Sequence, residues 1–177
     1  NADDFYGKNS FKNAFQYMSR KDNNKNFGLV CYKLSETLSE FGSVSRGVCK
    51  VENDKLVSIN EYLKIQQENN IIFDLNTEKT LHEDDLVSMN FWICKNNFFI
   101  FLENYIIRCI RELKNIEKDE IYLPFAIKEY SELNKMEIDV LRSLSKWFGI
   151  TYIEDKNESI KKLRELTENK LYPTPLW

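Results

Sequence analysis

Leu86-Val87-Ser88-Met89-Asn90-Phe91-Trp92-Ile93-Cys94 is the strongest strand signal in the chain, and it runs almost directly into the clearest helix. Phe98, Phe101, Leu102, Tyr105, Ile106, Cys109, Ile110 and Leu113 recur at i, i+3, i+4 and i+7, on one stripe capped by Asn96 or Asn97. A strand followed by a helix whose stripe must cover a sheet is the unit of a layered α/β domain. Asn90 interrupts the apolar run, so it either satisfies neighbouring backbone or faces a ligand.

Upstream, Phe27 to Leu34 reads as a buried strand. Arg46 to Val51 and Lys55 to Glu61 alternate in polarity on either side of Glu52-Asn53-Asp54, which predicts a hairpin. Lys64 to Asp85 is polar with short apolar islands and reads as a loop or small excursion. Phe11, Ala14, Phe15 and Met18 keep helical spacing after a cap at Asn9 or Ser10. Downstream, Pro124 starts a helix that runs through Leu133, Met136 to Ser143 reads as a strand, and a last helix carries Ile160, Leu163 and Leu166. Strands alternating with covering helices predict a single α/β domain over residues 1–177, with a mixed β-sheet covered by helices.

With 177 residues and 42% apolar content the chain can bury a core. The net charge of −3 is spread without basic blocks, which argues against nucleic acid and anionic membrane as partners. The longest apolar run, Phe98 to Ile110, is interrupted by Glu103, Asn104 and Arg108 and is not a membrane span. No charged-then-apolar leader opens the sequence, and Cys31, Cys49, Cys94 and Cys109 stand apart in apolar runs, as reduced thiols of a cytoplasmic protein do.

Candidate chemistry lies with the acids. Asp3 and Asp4 stand before Phe5-Tyr6-Gly7, where the chain turns, and Glu154-Asp155-Lys156 forms a second acidic stretch near the other end. Mg²⁺ takes one or two such carboxylates, with phosphate oxygens and water completing its shell. Asp155 and Glu158 also stand at N-cap and N3 spacing, a capping-box arrangement that leaves one carboxylate oxygen for a cation. Lys156 could reach a phosphate, and Gly47 beside Arg46 either permits a bend or lets backbone approach a ligand. In layered sheets ligands bind where strands end, and Asp3, Glu61 and Asp155 each fall at such a place.

Asn1-Ala2-Asp3-Asp4-Phe5-Tyr6-Gly7, Thr37-Leu38-Ser39, Ser45-Arg46-Gly47-Val48, Val87-Ser88-Met89-Asn90-Phe91-Trp92, Trp147-Phe148-Gly149-Ile150-Thr151-Tyr152 and Tyr172-Pro173 occur in order. Together they resemble the later two-thirds of a bacterial sugar-phosphate nucleotidyltransferase of the glucose-1-phosphate uridylyl- or thymidylyltransferase kind. The resemblance implies a Rossmann-like nucleotide-diphospho-sugar transferase fold lacking its N-terminal strands. It implies an enzyme of nucleotide-sugar biosynthesis that joins a nucleoside triphosphate to a sugar 1-phosphate and releases pyrophosphate, with Mg²⁺ as cofactor.

By the same resemblance Asp3, with Asp4 beside it, and Asp155 are the metal acids. Gly47 supplies the backbone contact to the sugar, Glu61 holds its hydroxyls, and Asn90 stands near the next sugar-side strand. The family's opening Gly-rich loop of the G-x-G-x-R…P-K type has no counterpart in the sequence. The expectation is therefore a fragment that is inactive alone and has an exposed sheet edge open to self-pairing. Two alternatives stay open: a metal-dependent glycosyltransferase that uses a nucleotide sugar, and a non-catalytic sugar-phosphate-binding module.

Overall fold

Asn53 and Asp54 have φ angles of 50° and 58°, so the turn after Glu52 has positive φ at both central residues. That geometry matches the right-handed twist of paired strands, and Asn and Asp tolerate it. The turn joins β2 (Val44–Glu52) to β3 (Lys55–Glu68) in antiparallel register from Glu52↔Lys55 to Val44↔Ile65. In the computed structural model, which describes residues 4–20, 27–115, 118–150 and 152–173, this long hairpin is the frame on which the rest is hung.

A second turn of the same hand, Asn69 (φ 49°) and Asn70 (φ 63°), returns β3 into β4 (Ile71–Asp74), and β5 (Thr80–Leu81) pairs with β4 in turn. The region from Lys64 to Asp85, expected to be a loop or small excursion, thus adds the end of β3 and two further strands to the sheet.

The remaining strands are β1 (Phe27–Lys33), β6 (Leu86–Ile93) and β7 (Ile138–Arg142). β1 pairs antiparallel with β6 and parallel with β7. β6 pairs with β2 at Gly47↔Ser88, and β7 meets β3 at Lys55↔Asp139. These contacts close a five-stranded barrel in the order β1-β6-β2-β3-β7. Among the described residues its mixed sheet is accompanied by four α-helices: α1 (Lys8–Met18), α2 (Asn96–Glu112), α3 (Leu123–Asn134) and α4 (Asp155–Glu168).

The closed barrel overturns the expected fold. The chain does not form a Rossmann-like α/β sheet covered by helices. The physical reason lies in β3, whose 14 residues pair along β2 and also reach β7, while register shifts in the β2–β3 and β1–β6 ladders bend the strands. Bulged strands curl a sheet until its edges meet.

Leu29, Cys31, Cys49 and Val140, with Val51, Leu56, Ile59 and Leu86, come from all five barrel strands and fill its interior. The Cys31 and Cys49 sulfurs lie 3.8 Å apart there as free thiols, and that contact, with burial, holds the Cys31 thiol well above its ordinary pKa. On the outer side of β1, Val30 and Tyr32 pack with Tyr6, Ala14 and Tyr17. Phe27 packs with Phe98 of α2 and with Ala126, Ile127 and Tyr130 of α3. Its ring lies 5.4 Å from that of Tyr130 in a stack, and burying such a side chain is worth about 1.5–3 kcal/mol.

α1 presents Ser10, Ala14 and Tyr17 to the barrel and leaves Phe11, Phe15 and Met18 exposed, so the apolar stripe read from the sequence is only partly the buried face. Buried hydrogen bonds select this face. The Ser10 hydroxyl donates to the Tyr6 carbonyl and is 2.7 Å from both the Tyr32 and Ser143 hydroxyls. Among the described residues no helix is long and apolar enough to cross a membrane.

Candidate functional site

The segment after the first acids is pinned to a distant part of the chain. Phe5 donates its amide to the Phe148 carbonyl at 2.9 Å and accepts in return at 3.3 Å, and the two rings stack with centroids 4.4 Å apart. Tyr172 meets Phe5 edge-on at 5.8 Å. This bridge sets Asp4 beside Gly149, where an added Cβ would come within 2.6 Å of Asp4 Oδ1 and 2.8 Å of the Trp147 ring. Tyr6, held between Asp4 Oδ2 (3.1 Å) and the Met89 carbonyl (2.9 Å), links the acid to β6.

Arg46 is the centre of the constellation. Only 7% exposed, it donates through Nε to the Thr37 carbonyl at 3.1 Å, through one terminal nitrogen to the same carbonyl, and through the other to the Ser45 carbonyl at 2.7 Å. Its guanidinium lies 4.9 Å over the Trp147 ring. Burial pulls its pKa down to about 10, and Asp4, Glu61 and Asp155 all act on it in the opposite sense. Carboxylates on three distant segments therefore offset part of the cost of burying this one guanidinium.

Glu61 pairs with Gly47, which puts it on the face of the hairpin opposite to the Arg46 side chain. A Cβ at Gly47 would lie 3.1 Å from Glu61 Oε2 and 2.7 Å from Ile59 Cγ2, so the glycine makes the space that the carboxylate uses. Glu61 is exposed as a residue, yet burial of its carboxylate raises its pKa, with Arg46 drawing it back.

Asp155 opens α4. Its Oδ2 accepts the Tyr152 amide at 2.7 Å and its Oδ1 accepts the Ser39 hydroxyl at 3.0 Å. The expected capping box is shifted. Glu154 occupies the cap position without a side-chain bond, and Asp155 reaches back to the preceding turn as a third-position acid does.

A cavity of about 580 Å³ opens on one side of this cluster, lined by Ser39, Arg46, Lys146, Trp147, Asp155 and Lys162 among others. Lys146 pairs with Glu36 at 3.8 Å, and Lys162 lies 5.6 Å over the Phe148 ring. Trp147 Nε1 is buried without a hydrogen-bond partner among the described residues.

The structure thus brings Arg46 and Asp155 to one cavity, with Asp4 beside Gly149 of its wall, and sets Glu61 against Gly47 on the other face of the hairpin. Asp3 lies outside the described residues. Asn90 is exposed at the β1–β6 bulge with φ 57°, its amide on the Ser88 hydroxyl oxygen and its Oδ1 3.4 Å from Trp92 Nε1. It is a bulge-former one strand from Gly47, not a core polar group. Lys156 is exposed and does not line the cavity.

Sequence reasoning missed Lys146 and Lys162. Asp155, Glu158, Ser159 and Lys162 follow i, i+3, i+4, i+7 spacing, and that polar stripe was the available signal for the second lysine.

Among the described residues no group of three or more His, Cys, Asp or Glu side chains is arranged to hold a metal ion. Asp155 lines the cavity and Asp4 lies beside Gly149 of its wall, and two carboxylates completed by phosphate oxygens and water are a donor set that Mg²⁺ accepts. No protein-family model matches the chain, and no curated protein matches it.

Proposed function

We propose that this cluster is the metal and sugar-phosphate side of a sugar-phosphate nucleotidyltransferase site. In that reaction an oxygen of the sugar 1-phosphate attacks the α-phosphorus of a nucleoside triphosphate. The bond to the β,γ-phosphates breaks, and nucleotide sugar and pyrophosphate result. The observation that carries the reading is the bridge from Phe5 to Phe148, which sets Asp4 beside Gly149 at the wall of the cavity that Arg46 and Asp155 line. Segments that carry the family resemblance also touch one another: Phe5 with Phe148 and Tyr172, Tyr6 with Met89, Ser39 with Asp155.

Each group has a physical part. Glu61 accepts hydrogen bonds from sugar hydroxyls, its carboxylate lying where a side chain at Gly47 would displace it. Arg46, and across the cavity Lys146 and Lys162, offset phosphate charge. Asp4 and Asp155 would hold Mg²⁺, which neutralises the charge gathered when two phosphates approach. No protein nucleophile is required, because the attacking atom belongs to the substrate.

Calorimetry with glucose 1-phosphate, with and without Mg²⁺, tests the reading. Metal-dependent binding that Asp155→Ala abolishes, in a variant with an unchanged circular dichroism spectrum, is the expected result. Absence of binding to the unaltered chain, or binding indifferent to that substitution, overturns it.

A further inference from the structure

We infer that the seam between β3 and β7 is an ionic latch, along which the barrel opens and recloses while the rest of the fold stays in place.

Elsewhere the barrel is closed by backbone ladders. β1 runs beside β7 from Phe27↔Ile138 to Cys31↔Arg142 and beside β6 from Gly28↔Ile93 to Lys33↔Leu86. Even the short seam of β2 with β6 has adjacent pairs at Gly47↔Ser88 and Val48↔Val87. Among the described residues β3 meets β7 only at Lys55↔Asp139, and the Val140 amide donates to the Asp54 carbonyl at 2.8 Å.

Side-chain charge makes up for the missing ladder. Lys55 pairs with Asp139 and, at 2.8 Å, with Glu137, and Arg142 pairs with Asp54 at 2.6 Å. Each pair has one member on the hairpin, at Asp54 or Lys55, and the other on β7 or beside it. From α1 the Tyr17 hydroxyl donates to Asp139 at 2.7 Å.

These pairs stand in reach of solvent. A cavity of about 380 Å³, lined by Tyr17, Arg20, Asp54, Lys55, Asp139 and Arg142, lies over the seam. Ion pairs so placed are screened by salt, because the Debye length falls from about 10 Å at 0.1 M to about 3 Å at 1 M. Ladder hydrogen bonds have no such dependence. On the inner side of the seam, Leu56 of β3 and Val140 of β7 pack with Leu29, Cys31 and Cys49. Cys31 is wholly buried, so its thiol meets a reagent only when the barrel opens. Local opening below global unfolding is drawn from regions with few buried backbone bonds, and this seam is such a region.

The test follows alkylation of each cysteine of the full chain by N-ethylmaleimide, at fixed pH, with mass spectrometry as readout. Rates for Cys31 are taken relative to Cys109 of α2, outside the barrel. Cys31 should react severalfold faster in 1 M NaCl than in 0.05 M. In Lys55→Met it should react about tenfold faster at low salt and lose most of the salt dependence. Lys33→Met, which removes the pair with Asp84 on another surface, should leave the rate unchanged. The urea dependence of Cys31 alkylation should be much shallower than that of the circular dichroism signal. If Lys55→Met fails to fold, the salt and urea series on the unaltered chain decide. A rate indifferent to salt, or one that follows global unfolding in urea, overturns the latch.

Discussion

Ser39 and Asp155 stand 116 positions apart in sequence, and the Ser39 hydroxyl donates to Asp155 Oδ1 at 3.0 Å. The bond ties the loop after β1 to the first turn of α4 across the mouth of the cavity. Removing it in Ser39→Ala should cost about 1 kcal/mol of orientation, a roughly fivefold loss in Mg²⁺-dependent glucose 1-phosphate affinity. The thermal midpoint should move little, because the Tyr152 amide still engages the other oxygen. Calorimetry beside differential scanning fluorimetry checks both halves.

Gly47→Ala places a methyl group against Ile59 and Glu61. Overpacking of this kind costs about 1–3 kcal/mol, and the carboxylate of Glu61 must also give way. Urea denaturation should report lower stability, and glucose 1-phosphate binding should fall about tenfold. An alanine variant as stable and as competent as the parent would remove the close approach from the description of the site.

The backbone and side chain of Asn90 can be separated by two substitutions. Asn90→Val forces a β-branched residue to φ 57° and should destabilise by about 1–2 kcal/mol. Asn90→Gly takes the same angle without strain and should stay within about 0.5 kcal/mol of the parent. Glucose 1-phosphate affinity that falls in the glycine variant marks the side chain as a ligand contact; affinity that holds marks it as the bulge residue alone.

Asp74 provides a pH test away from the site. It is buried in the β4–β5 turn, and burial alone would raise its pKa. Hydrogen bonds from the Thr77 hydroxyl and from the amides of Thr77, Lys64 and Asn76 outweigh that and hold it below the ordinary carboxylate value. A folded pKa depressed below the unfolded one adds stability that is present above the unfolded value and is lost as pH falls through the folded one. Melting temperature should therefore decline below about pH 4, and Asp74→Asn should be less stable at pH 7 with a shallower acid limb.

Individual elements were more legible than their assembly. The runs at Phe27, Leu86 and Met136 are strands, Phe98 and Pro124 do begin or lie within helices, and Asn53-Asp54 is a turn, because local periodicity and turn chemistry decide such features. Asn69-Asn70 carries the same turn chemistry as Asn53-Asp54, but it stands in a polar stretch without alternating apolar residues, which hides β4 and half of β3. Barrel closure was invisible for another reason: it depends on register shifts at Val30/Cys31 and Lys50/Val51, and no single residue announces those. The acids were found by residue type, whereas Lys146 and Lys162 enter the cavity only through the fold.

The parallel pairing of β1 with β7 joins an early strand of the described chain to a late one. During synthesis β1, β2, β3 and β6 emerge before residues 138–142 exist, so the nascent sheet stays open, with one side of Phe27–Cys31 lacking its ladder. Such an edge is a docking strip for chaperones and for other unfinished chains until the last strand leaves the ribosome. Refolding from denaturant should accordingly be paced by this one long-range closure, with the hairpin of β2 and β3 already formed.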